Sequence, residues 1–392
     1  GPVYSYHALF RDFLKTRAEE ELTGGEISEI QRRAAAVLME SGQAEDAAAL
    51  LIDAGDWNGF VPFVIDNAHS LMSQGRSTTL EGWLAAIPEE IAGHQPWVLY
   101  WLGACRLWVS PAQSRSFFER AFHLFESLGD AAGTFSAWAG AVDTFFFELG
   151  DFRLDRWIGW LDTRMRQGVS FPSAEVEARV AASMTGALIW RMPDHPDMKQ
   201  WVSASLSLLQ EEIHAEGRIR AYINIIAYHL WTGEFTECSL VVDRVRKMAS
   251  SGPPSPMTEI ASIVAEALLL RTFIDSSEHL LKMVTSGLQK ADRSGMHMMD
   301  LPLLSLGVYS CLNADNTALA GTYLCEIEKV SESDRPAGSS LFLHQSAWAA
   351  LLVRDAQRAV TLAAKAVLLL SLIHICRCRR STLCRSRWSP YH

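Results

Sequence analysis

No apolar run in this sequence reads as a helix able to span a bilayer, which takes roughly 20 residues. Glycine and proline are sparse, 25 and 14 of 392 residues, too few for a fibrous or low-complexity chain. Bases are outnumbered: 35 Lys and Arg face 45 Asp and Glu, a net charge of −10. That balance argues against a general nucleic-acid binder. Seven cysteines in this length make no disulfide framework. Cys105, Cys238, Cys311 and Cys325 stand singly among apolar residues, the usage of a reducing, cytoplasmic compartment. No signal-peptide pattern follows Gly1. Catalytic signatures are missing too: no H-E-x-x-H, G-x-S-x-G, G-x-G-x-x-G or C-x-x-C. No Gly precedes a Lys, so there is no P-loop. The chain therefore reads as non-enzymatic, with no cofactor and no metal site of its own.

What is present is helix. Apolar residues make up 49% of the chain, ample for a core. They recur at steps of three and four, as in Phe117-Phe118-Glu-Arg-Ala121-Phe122-His-Leu124-Phe125. Breaks between helical segments fall at Ser110, Gly150, Asp194, Gly233, Asp275, Asp315 and Asp355, an interval of about 40 residues. Such residues end one helix and cap the next. Two helices per unit at this period predict an all-α fold, a right-handed α-solenoid of about seven helical hairpins. It also explains a length well beyond one ordinary domain. Eight residues before each break, Gly186, Ala267, Gly307 and Ala347 are small, which predicts close approach of the second helix of a hairpin to the first. The pattern resembles tetratricopeptide-type repeats, lengthened from about 34 residues to about 40 residues.

The N-terminal region is built differently. Tyr4–Leu22 and Ile27–Met39 each read as one helix, and Gly42 and Gly55 then punctuate short hairpins. The string Y-S-Y-H-A-L-F-R-D-F-L from Tyr4 to Leu14 is followed by Arg32-Arg33-Ala-Ala-Ala, by A-G-D-W at Ala54–Trp57 and by W-L-A-A-I-P at Trp83–Pro88. This ordered set resembles the maltose-regulon-activator family of STAND-type signal-transduction ATPases, many of which end in a LuxR-type helix-turn-helix. The resemblance covers residues 1–95 by motif and 96–369 by repeat architecture. It implies that residues 1–24 are the tail of a winged-helix module, 25–95 a helical connecting region and 96–369 the repeat sensor. It implies as partners a small-molecule effector or regulatory protein and the nucleotide-binding module of the same polypeptide, and it allows self-association. The family's ATP and DNA binding carry onto no residue here. The implied function is the sensor and interaction region of an ATP-dependent transcriptional regulator. One alternative is a repeat scaffold or co-chaperone with no ATPase, which the genomic sequence upstream discriminates. Another is an α/α-barrel enzyme, which needs paired carboxylates at helix ends; the break-point acids come one per hairpin, in capping positions.

Residues 370–392 depart from this composition. They hold five Arg, three Cys and no acid, leaving 30 bases against 45 acids in the rest. The string L-S-L-I-H-I-C-R-C-R-R-S-T-L-C-R resembles translated sequencing-adapter DNA and reads as non-native. Both ends of the chain read as truncated. Cys376-Arg-Cys378 has no zinc-knuckle spacing.

Candidate contacts come from the first helix of each hairpin, which faces the concave side of a repeat superhelix. Aromatic surface with a few polar groups suits a small-molecule or peptide site. On that basis Trp101, Arg106, Asp143, Trp190, Tyr228 and His229 are the candidate groove residues. The remaining aromatics, among them Trp108, Trp138, Phe145, Phe147, Trp157 and Trp231, read mainly as core. Histidines scattered singly read as surface or satisfied core residues, and Asp194-His195-Pro196-Asp197 as a helix junction rather than a cation site.

Overall fold

The structure is a computed structural model that describes residues 8–107, 109–148, 153–208, 215–251, 256–272, 277–331 and 336–369. The described residues are helical with short connections, and none forms a strand. None of these helices is long and apolar enough to cross a membrane. The first four residues of the Tyr4–Leu14 string, the breaks at Gly150 and Asp275, Trp108, the Phe147 side chain and the 370–392 tail lie outside the described residues.

The chain forms two compact units, divided between Cys105 and Arg106. The first contains α1 (Ala8–Glu21), α2 (Gly24–Glu40), α3 (Ala44–Asp53), α4 (Trp57–Ser73), α5 (Ser77–Ala86), α6 (Glu89–Ala92) and α7 (Pro96–Arg106). A reciprocal capping box starts α2: the Glu26 backbone N–H donates to the Thr23 hydroxyl, and the Glu26 side chain accepts from the Thr23 backbone. Gly42, Gly55 and Gly75 all hold left-handed φ at the ends of α2, α3 and α4. The core joins Leu51, Phe60, Val64, Leu80, Trp83 and Leu84 to Val98 and Cys105 of α7. α7 packs into this core through Val98 and Cys105.

The second unit runs through α8 (Pro111–Leu128), α9 (Ala131–Glu148), α10 (Asp155–Arg166), α11 (Ala174–Arg191), α12 (Met198–Leu208), α13 (Ala215–Thr232) and α14 (Phe235–Ser251). It continues with α15 (Pro256–Leu270), α16 (Ser277–Ser294), α17 (Asp300–Asn313), α18 (Thr317–Ser331), α19 (Pro336–Leu352) and α20 (Ala356–Leu369). Each described break is a helix junction. Asp315 takes the left-handed φ of 55° after α17, and the Asn316 side chain then accepts the Leu319 N–H at the start of α18. Arg354 takes φ 62°, and Asp355 accepts the Arg358 N–H to cap α20.

Sequential helices pack on one another, and so does every second helix: α9 on α11, then α13, α15, α17 and α19 in turn. Side chains along this row meet one period apart. Ser183 donates to Asp143 at 2.8 Å, Asn224 to the Ala182 carbonyl at 2.9 Å, and Gln345 to the Ser305 carbonyl at 2.9 Å. These pairs are separated by 40, 42 and 40 residues. Their order, with Trp190 against Trp231 further along, makes α9, α11 and α13 parallel. Of this row, α9 and α11 are buried nearly all round. In α11, every residue from Val180 to Ile189 is buried, which explains its content of Ala, Gly, Ser and Thr. At the far end, α19 also packs against α9, so the row returns on itself.

Two local expectations are revised. Gly186 does admit a close neighbour, but a Cβ there would lie 2.8 Å from Asn224 of α13 and 2.8 Å from Phe146 of α9. The small residue thus serves packing between successive first helices, not within a hairpin. Gly307 does face its own hairpin's second helix, against Tyr323 of α18. The helix packed most closely on α9 is the preceding α8. Rings of Phe125 and Phe118 fill the notches at Gly133 and Gly140, which have no room for a Cβ.

Candidate functional site

The six groove candidates separate into different environments. Trp101 lies in the first unit, partly buried against its core, its ring edge-on to Tyr100 at 5.1 Å and its buried Nε1 without a hydrogen-bond partner. Arg106 donates to the Gln113 side chain at 2.5 Å across the start of α8. Asp143 has no exposed surface. It accepts from Ser183, and Arg179 stands 3.7 Å from its other oxygen. A carboxylate buried this way needs both partners, so Asp143 binds α9 to α11 rather than facing a groove.

Trp190, Tyr228 and His229 lie toward the C-terminal ends of α11 and α13, in two separate ring pairs, Trp190 with Trp231 and Tyr228 with His229. The parallel register places Trp190 in the last turn of α11 beside Trp231 in the last turn of α13, ring centroids 5.5 Å apart at 69°. This edge-to-face arrangement suits the ring quadrupoles. Trp190 is partly buried, and Trp231 leaves 44% of its surface open. Tyr228 lies one helical turn before Trp231 on the same face. Its ring meets that of His229 at 5.4 Å.

His229 is buried, and its Nδ1 lies 2.8 Å from Oε2 of Glu234. The carboxylate accepts, which orients it just past Gly233, where a φ of 79° turns the chain off the helix. The hydrogen bond from His229 is the main cause that holds the Glu234 carboxyl below its ordinary value, with help from Thr232 and the distant charge of Lys199. Burial and the Glu234 charge push the Tyr228 hydroxyl upward. A half-exposed carboxylate thus stands fixed against His229, close enough to Tyr228 for its charge to act on that hydroxyl.

Sequence reasoning passes over Trp231 as core, and it misses Glu234, Ser183 and Arg179. The signal for two of these is the period itself: one period on from Asp143 stands Ser183, and one period on from Trp190 stands Trp231. Glu234 has no such signal, since it is brought to His229 by the turn after α13.

The other histidine junction is structural. His195 Nε2 donates to Asp162 of α10 at 3.2 Å, while the Asp197 N–H donates to its Nδ1 just before α12. Burial pushes the Cys238 thiol up to about 11 and also raises that of Cys311, which leaves both protonated and unreactive. Among the described residues, no group of three His, Cys, Asp or Glu side chains is placed to hold a metal ion. No protein-family model matches the chain.

Proposed function

We propose that this chain is the sensor and protein-interaction region of a STAND-type, ATP-dependent transcriptional regulator, folded as a right-handed, tetratricopeptide-like α-solenoid. The observation that supports it best is the row of parallel first helices cross-linked one period apart, at Asp143–Ser183, Ala182–Asn224 and Ser305–Gln345. An effector or regulatory protein docks where this row opens to solvent, at Trp190, Tyr228, His229 and Trp231. The chain performs no chemistry of its own. Docking changes the relative free energy of two packings of the array against the nucleotide-binding module, by the difference in ligand affinity between them.

Recovery of the complete gene tests this reading. A P-loop module encoded upstream, followed by a winged helix that ends in the Tyr4–Leu14 string, is the expected result. A gene with no nucleotide-binding module overturns the regulator assignment and favours the repeat scaffold.

A further inference from the structure

The second helices of the later hairpins share one register. Five residues beyond the left-handed Gly233, Asp315 and Arg354 stand Cys238, Ala320 and Ala359, all buried. Nine residues beyond them stand Val242, Leu324 and Ala363. Val242 and Leu324 are buried, as is Val284 at the matching place in α16, whereas Ala363 is exposed. Each buried member shares a core with the first helix of the next hairpin: Val242 with Ala265 of α15, Val284 with Leu303 of α17, Leu324 with Phe342 of α19.

Three neighbouring positions repeat the contrast. Leu312, three residues before Asp315, lies buried in the core that α19 covers, while its counterpart Leu351 leaves 59% of its surface open. Leu281 and Leu288 of α16 pack against the core of α17 and α18. Their counterparts in α20 are Val360 and Val367, 66% and 49% exposed. In α14 the same two places hold Ser239 and Arg246, and in α18 Gly321 and Glu328, so the fold itself does not require valine there. Val360, Ala363 and Val367 follow at i, i+3 and i+7, which makes one stripe along α20. The flanking Ala356 and Ala364 carry no charge, and Arg358 and Lys365 fall on another side of the helix.

A terminal helix that caps a repeat array presents a polar outer face. The apolar stripe on α20, beside the exposed Leu351, has the character of a protein contact instead. The shared register identifies its cover as a helix of the array's own kind. A charge-free stripe of small and branched side chains meets its own image without repulsion, as an isologous contact requires. We infer that α20 and the end of α19 form a self-association surface, on which a second copy of this chain packs its own α20 about a two-fold axis. The 14 residues of α20 span only about 21 Å. That is less than a stable interface of about 800 Å² per partner needs, so the dimer is weak and depends on concentration.

Sedimentation velocity of the full chain, in reductant and from about 1 µM to about 200 µM, tests it. The average mass is expected to climb with concentration and to level at twice that of one chain. Val360→Asp/Val367→Asp should move this climb to at least about tenfold higher concentration, with an unchanged far-UV circular dichroism spectrum. Val360→Ser/Val367→Ser, which adds no charge, should move it in the same direction by less. Leu240→Asp, which charges an exposed leucine of α14, should leave it in place. A single-chain mass at every concentration, a climb that the paired valine variants leave unchanged, or one that Leu240→Asp weakens equally overturns the surface. A mass that keeps rising past two chains shows an open, head-to-tail contact and overturns the two-fold arrangement.

Discussion

At the scale of single residues, burial decides which polar groups hold the array and which are available to a ligand. Asp143 and Glu234 are both carboxylates on or near first helices. One has no exposed surface and joins two helices; the other stands half exposed beside His229. Asp143→Ala should destabilise the chain by about 2 kcal/mol, because Ser183 loses its acceptor and Arg179 its counter-charge inside the seam. Asp143→Asn, which keeps the acceptor, should cost clearly less; urea denaturation of the two variants checks the order. Glu234 carries a pH signature. Its folded carboxyl is held below the ordinary 4.5, so its stabilisation is complete above that value. It is lost as pH falls through the lowered folded value. Thermal melts between about pH 5 and pH 3 should fall less steeply for Glu234→Gln than for the wild type.

At the scale of elements, the seams between first helices are set by small side chains. Gly186→Ala places a methyl against Asn224 and Phe146, and should cost about 1–3 kcal/mol by overpacking. The same substitution at Gly159, where a Cβ meets nothing within 4 Å, should stay within about 0.5 kcal/mol. Amide exchange should rank the helices. The buried runs in α9 and α11 should be the slowest, and α20, exposed along most of its length, among the fastest. The helices themselves are legible in the sequence because the break residues carry the chemistry of caps: Asp355 accepts the Arg358 N–H, and Gly233 turns left-handed. Which helix packs most closely on α9 is not legible. That depends on two rings of α8 finding the notches at Gly133 and Gly140, and no period encodes that match.

At the scale of the whole molecule, an all-helical chain is legible from periodicity alone, and the period names residues that sit side by side on successive first helices. The packing of α19 on α9 is not legible, because the two helices lie far apart in the chain and no period pairs them. The candidate site is half legible for the same reason. Trp190, Tyr228 and His229 share one end of two parallel helices, whereas Trp101 belongs to another unit and Asp143 to the core.

The central claim, that the ends of α11 and α13 form an effector site, is tested most directly by a thermal-shift screen. Sugars, acyl compounds, ammonium compounds and peptides would be compared on the wild type and on Trp190→Ala/Trp231→Ala. One class is expected to raise the wild-type Tm by roughly 2 °C or more in a dose-dependent way, and the double variant to lose this shift. A full shift retained by the double variant, or no shift from any class, would contradict it.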